Sequence, residues 1–146
     1  MKTLRILLAS VIAVLALSAC SHEEYDKMPN EIATFVSKYW PDPNIESCTN
    51  PGGESWVIII KNGPTLTFNS SCDWTSINGN GLPLPSIVMF DQLPPKLYDY
   101  LESGEFLSQT FSIVRTPRIY TVTLLTQTVT YDIATETIRQ ETTAPV

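Results

Sequence analysis

The stretch "WVIIIKNGPTLTFN", residues 56–69, decides the fold. Trp56 to Ile60 is an aromatic and β-branched run of strand length, Asn62-Gly63 is a turn pair, and Thr65 to Phe68 alternates polar and apolar residues with a period of two. Two antiparallel strands joined by a short turn follow from that order. The same period assigns faces. Trp56, Ile58 and Ile60 share one side with Leu66 and Phe68, which leaves Val57 and Ile59 on the other side with Thr65 and Thr67.

Outward from this hairpin the periodicity changes. In "MPNEIATFVSKYWP", residues 28–41, Ile32, Phe35, Val36 and Tyr39 recur at the spacing of one helical face. Pro29 suits the helix start, and Pro41 cannot continue it. A short strand from Ile45 to Cys48 and another around "WTSI", residues 74–77, complete the first half. The same order then returns. "LPPKLYDYLESGEF", residues 93–106, predicts a helix with Leu93, Leu97, Tyr100 and Leu101 on one face and Gly104 as its stop. "QTFSIV", "YTVTLL", "TVTYD" and "ETIR" follow as strands. Trp56, Ile58 and Ile60 correspond to Tyr120, Val122 and Leu124, and Leu66 and Phe68 to Val129 and Tyr131.

This predicts an α+β chain of two repeats, each a helix followed by three or four antiparallel strands. The first repeat covers residues 28–79 and the second 93–139, joined by a linker at 80–92 that is rich in turn formers. Within it "IVMF", residues 87–90, either adds to the second helical region or packs beneath it. Residues 140–146 read as a loose tail. The helix ending in "YWPD", the aromatic-led strand, "NGPTLTFN" and then Trp74 resemble the beta-lactamase-inhibitor-like, PepSY-like family of bacterial envelope proteins. The second repeat departs from that pattern by lacking the Asn-Gly turn and the helix ending. The resemblance implies a curved antiparallel sheet with helices packed on one face only, in proteins that are often lipoproteins. It also implies that the inhibitor naming the family binds an enzyme with the open face of its sheet.

The N-terminus gives an address. Lys2 and Arg5 precede an uncharged stretch from Ile6 to Ser21, 16 residues long. It has the layout of an export signal and falls short of the roughly 18 to 20 residues a membrane-spanning helix needs. Leu17-Ser18-Ala19-Cys20 resembles the lipobox of bacterial lipoproteins, which implies cleavage after residue 19 and acylation of Cys20. Several acyl chains, at about 0.8 kcal/mol per buried methylene, hold a protein at a membrane where one does not. Ser21 lacks the aspartate that retains many lipoproteins on the inner membrane, so outer-membrane sorting is expected. Residues 20–27 read as an acidic tether; Glu23, Glu24 and Asp26 are either a surface-export signal or a solvated linker.

Without residues 1–19 the chain retains seven basic against fifteen acidic side chains, a net charge of −8. Phosphate backbones repel such a chain, and no basic patch offsets this, so nucleic acid is not a partner. Cys48 and Cys72 are a disulfide candidate in an envelope compartment, with the bridge and the free thiols both open readings. A bridge closing their 25-residue loop would contribute roughly 3–4 kcal/mol.

Chemistry is sparse. The only histidine, His22, sits two residues from the lipid anchor, which leaves no histidine-based triad, and the Cys and His supply is too small for a zinc site. The carboxylate pairs Asp42/Glu46 and Asp99/Glu102 read as solvated charges, and "DWTSINGNG" lacks the acids of a calcium loop. No glycine-rich phosphate loop occurs. Neither a catalytic site nor a metal or cofactor is predicted. Trp40, Trp56 and Trp74 are expected in or beside the core. The candidate surface is the side of the sheet away from the helices: Val57, Ile59, Thr65 and Thr67 from the first half, Thr121, Thr123, Thr128 and Thr130 from the second, with Leu125 continuing the row. Such a face is either a plain solvated sheet or a docking surface. The leading expectation is a non-enzymatic, membrane-anchored envelope module that binds a protein or peptide there, with possible inhibition of an enzyme. The alternatives are an accessory lipoprotein acting as a tether and a module for glycans or small ligands.

Overall fold

The computed structural model describes residues 24–143; the signal segment and Cys20 lie outside the described residues. The element order is α1 (Asn30–Tyr39), β1 (Ile45–Thr49), β2 (Ser55–Ile60), β3 (Thr65–Asn69), β4 (Trp74–Asn78), α2 (Ser86–Gln92), α3 (Pro95–Ser103), β5 (Thr110–Arg115), β6 (Ile119–Leu124), β7 (Gln127–Asp132) and β8 (Thr137–Thr142). All eight strands form one open, curved antiparallel sheet in chain order, so the fold is α+β.

Local chemistry explains the turns. At the β2–β3 hairpin Asn62 takes a left-handed backbone (φ 57°), and the Ile60 N–H donates to Pro64 O at 3.1 Å. Asn69 Oδ1 accepts from the amides of Ser71 and Asp73 at the β3–β4 turn. Thr116 and Asp132 serve the β5–β6 and β7–β8 turns in the same way. After β4 the chain leaves the sheet at Gly79, where a Cβ would sit 2.0 Å from Leu82 O. Only glycine lets the backbone fold back so closely.

One row of side chains carries the core. Register places Cys48, Ile58, Leu66, Ile77, Ile113, Val122, Val129 and Gln140 side by side across all eight strands. The six central members are fully buried, each contributing roughly 1.5–3 kcal/mol by leaving water. The helices supply the opposing layer: Ile32, Val36 and Tyr39 from α1, Val88 and Met89 from α2, Leu97 and Leu101 from α3. Phe35 meets Phe68 edge to face, with centroids 5.4 Å apart. Polar ties fix α1 and α2 to each other and to the sheet. The Trp74 indole N–H donates to Gln92 Oε1 (2.9 Å), Gln92 Nε2 donates to the Tyr39 hydroxyl (2.7 Å), and that hydroxyl donates to Asp91 (3.0 Å). Lys38 pairs with Asp91 at 2.8 Å.

Several expectations change. The second helical region is two helices, because Leu93 precedes Pro94 and is driven into an extended conformation (ψ 150°) that ends α2. Leu93 is still buried, so its apolar character served the core from a cap rather than from a helix face. The segment read as a linker at 80–92 thus contains α2, with "IVMF" inside it. β8 runs to Thr142, into the segment read as a loose tail, because residues 140–142 pair with Gln127 to Val129. Leu125 lies in the β6–β7 turn and is 68% exposed instead of extending the row. From Glu24 on, the acidic tether is docked: Glu24 Oε2 accepts from the Cys48 N–H (3.1 Å), the Tyr25 hydroxyl donates to Ala33 O (3.0 Å), and Met28 is buried.

Of the two open readings for Cys48 and Cys72, the structure has the free thiols and not the bridge. Cys48 sits in β1, while Cys72 lies in the turn that leaves β3. β2 lies between β1 and β3, so the two cysteines do not come from neighbouring strands.

Candidate functional site

The face opposite the helices consists of two continuous rows. Cross-strand register aligns Thr49, Val57, Thr67, Ser76, Val114, Thr121, Thr130 and Arg139 in the first. The second aligns Ser47, Ile59, Thr65, Asn78, Ser112, Thr123, Thr128 and Glu141. The structure therefore brings together all eight residues expected to form the surface: Val57, Ile59, Thr65, Thr67, Thr121, Thr123, Thr128 and Thr130. No member of either row belongs to the buried cluster beneath the helices, and none is fully buried. Among the described residues, no helix covers them.

The chemistry of the face is uneven. Val57 and Ile59 form one apolar island on β2. A second, Val114 at 42% exposure, lies three strands away, about 14 Å, with threonine and serine between. Val114 lies outside the expected set because the sequence reading assigns no faces to "QTFSIV"; period two from Ser112 places it outward. Arg139 and Glu141 were missed for another reason, since they lie in residues split between the end of a strand and an expected tail.

At the β6–β8 end, Arg118, Ile119, Thr130, Asp132, Thr135, Thr137 and Arg139 line a depression of about 380 Å³. Arg118 is tied to Asp132 at 3.1 Å. Burial pushes the Asp132 carboxyl up, but hydrogen bonds from the Thr135 amide, Arg118 and the Ala134 amide outweigh it and hold the group below its ordinary range. The guanidinium of Arg139 makes no ion pair among the described residues. A second cavity, of about 290 Å³, lies near the strand ends around Trp74, Arg115 and Tyr120. There the guanidinium of Arg115 stacks 4.1 Å from the Trp74 ring, so its main polar group is already engaged.

The remaining candidates disperse. Trp74 is buried, while Trp40 and Trp56 pack against the core, so the tryptophans form no exposed platform for a sugar. The Asn69 and Asn78 side-chain oxygens serve turn amides and Asn80 ties β4 to the β2–β3 turn, which accounts for the asparagines around Asp73. No group of three or more histidine, cysteine or acidic side chains suited to a metal occurs among the described residues. Burial raises the pKa of both the Cys48 and Cys72 thiols, the opposite of activation.

The fold has solved relatives. A protein of the DUF2874 family from Bacteroides vulgatus, described as a candidate periplasmic protein, superposes with a TM-score of 0.67 at 20% identity over 80% of this chain and 92% of its own. A Bacteroides thetaiotaomicron protein, described as a candidate calcium-regulated periplasmic protein, gives a TM-score of 0.67 at 16% identity over 80% and 92% of the two chains. A second Bacteroides vulgatus protein, of unknown function, gives 0.62 at 18% identity over 80% and 93%. At these identities the likeness is one of fold. No family model matches the chain, and no curated protein does.

Proposed function

We propose that this chain is a lipid-anchored envelope protein that binds a protein or peptide through the bare face of its sheet. The observation that carries the reading is the pair of eight-residue rows, uncovered among the described residues from β1 to β8 and interrupted by the apolar side chains Val57, Ile59 and Val114. A regular two-row surface with isolated apolar contacts suits an extended or flat protein partner better than a small ligand, which needs an enclosed pocket. The envelope location draws on the export signal, the lipobox-like Leu17 to Cys20, and the periplasmic descriptions of proteins sharing the fold. The PepSY-like resemblance belongs to the same reading. So does a two-repeat ancestry, supported by helix-side pairs at matching places in β2 and β6: Trp56 with Tyr120, Ile58 with Val122, Ile60 with Leu124.

Affinity purification from detergent-solubilised membranes, wild type beside V57D/I59D, tests the proposal. A partner recovered by the wild type and lost from the double variant is the expected result. Identical partners on both would sink it. A pure tether predicts no partner that depends on this face, and a glycan module predicts a change in tryptophan fluorescence on adding oligosaccharides.

A further inference from the structure

The two edges of the sheet are finished differently. At β1 the outward N–H of Cys48 is taken by Glu24 Oε2, so a side chain blocks the place where another strand would pair. At β8 no such plug exists among the described residues. Hydrogen bonding fixes which groups point outward there. Ile133 N donates to Arg118 O, so in the β6–β7 register residues 118 and 133 form a hydrogen-bonded pair, and the alternation assigns Tyr131 and Val129 to β6 as well. Thr128, Thr130 and Asp132 therefore bond to Glu141, Arg139 and Thr137 of β8, in agreement with the bond from Thr143 N to Thr126 O. Ile138, Gln140 and Thr142 turn their N–H and C=O groups away from the sheet.

Charge on an edge strand ordinarily deters pairing, since two copies would set like charges opposite one another. In β8 the charges have opposite sign and stand two residues apart: Arg139 and Glu141, both on the bare face. We propose that β8 is a self-complementary edge that pairs antiparallel with β8 of a second copy, about a two-fold axis at Gln140. In that register Gln140 faces its own counterpart and Ile138 faces Thr142, so every outward backbone group on both strands meets a partner. Arg139 of each copy then stands opposite Glu141 of the other, in the close non-hydrogen-bonded positions.

The neighbouring registers are worse. An axis at residue 139 opposes two arginines, one at residue 141 opposes two glutamates, and one at residue 138 leaves Arg139 facing Thr137. Charge thus selects a single alignment. The Glu24 plug at β1 then closes the assembly, because β8 cannot pair head to tail with β1, and growth stops at a dimer with one continuous sheet. This contact is at the edge and does not depend on the face partner proposed above.

Charge reversal tests it in sedimentation velocity on the full chain in detergent, from about 1 μM to about 500 μM, the range of a weak pairing. The wild type should show a reversible monomer–dimer equilibrium. R139E alone and E141R alone should each weaken it by roughly tenfold or more, because both symmetry-related pairs become repulsive. An equimolar mixture of the two variants should associate, since every cross-strand pair in the mixed dimer regains opposite signs. R139E/E141R in one chain should do the same. Failure to fold cannot imitate that rescue. A wild type monomeric throughout, a dimer indifferent to the single reversals, or variants that stay apart on mixing would each overturn the proposal. So would a monomeric wild type whose β8 edge crosslinks at Ile138 to a different protein.

Discussion

Ile58 and Ile59 are adjacent in β2 and identical in composition, yet the fold gives them opposite environments. Ile58 is fully buried between Cys48 and Leu66, under the helices; Ile59 lies half-buried between Ser47 and Thr65 on the bare face. Ile58→Ala removes three carbons from a closed site, about 2.4 kcal/mol by transfer at ~0.8 kcal/mol per group, and the cavity left behind raises the loss to about 3–4 kcal/mol. Ile59→Ala removes the same atoms from a half-wetted site with no opposing wall, for about 1 kcal/mol. The loss of β-branching is common to both and cancels in the comparison. In urea, with a slope of about 1.5 kcal/mol per molar, the unfolding midpoint should fall by about 2 M for Ile58→Ala and by under about 1 M for Ile59→Ala. Equal midpoint losses would refute the assignment of a covered and an uncovered face, and with it the basis of the proposed function.

Gln92→Ala should cost about 1–3 kcal/mol in thermal or chemical unfolding, because it strands the indole N–H of buried Trp74 and removes a donor to Tyr39. With no bridge between Cys48 and Cys72, adding a reductant should leave the melting temperature unchanged, and thiol titration of the folded chain should label Cys72 well before buried Cys48. The Glu24 carboxyl is held below its ordinary range by the hydrogen bond with Lys27 and then by the Cys48 amide. A depressed carboxyl stabilises above its unfolded pKa and ceases to do so as pH falls through the lowered folded value. The Cys48 amide chemical shift should therefore hold steady through the usual glutamate range and move only at more acid pH, and Glu24→Ala should abolish that titration.

How far the sequence was legible depends on the range of the information needed. Period-two alternation is local, so the faces of β2, β3, β6 and β7 could be assigned from single strands, and all eight expected surface residues share one face. The ends of β8 were not legible, because Gln140, Glu141 and Thr142 have no apolar periodicity; they are strand only because β7 offers hydrogen bonds. Leu93 illustrates a competing local rule: its place in an apolar helical pattern was overridden by Pro94. The acid at Glu24 looked like wet linker because, beyond its local pair with Lys27, the group that ties it to the sheet is the outward Cys48 amide, distant in sequence. For β8 and for Glu24 the missing term was a partner on another segment; for Leu93 it was the residue next in the chain.

The bare face also bears on how the strand pairs β2–β3 and β6–β7 differ. On the helix side, β2–β3 and β6–β7 carry chemically alike residues at the same places in their registers: Ile58 and Val122, Leu66 and Val129, Phe68 and Tyr131. On the bare side the β2 positions are Val57 and Ile59 where β6 has Thr121 and Thr123. Threonines there are not idle, since Thr121 opposite Thr130 and Thr123 opposite Thr128 make cross-strand pairs worth roughly 0.2–1 kcal/mol each and hold an uncovered sheet together. If packing alone governed these strands, both pairs could have used threonine throughout. β2 instead places Val57 and Ile59, half-buried, on the bare face, where no helix among the described residues covers them. That asymmetry is the reason the docking reading puts its weight on β2, and the V57D/I59D comparison tests it at that point.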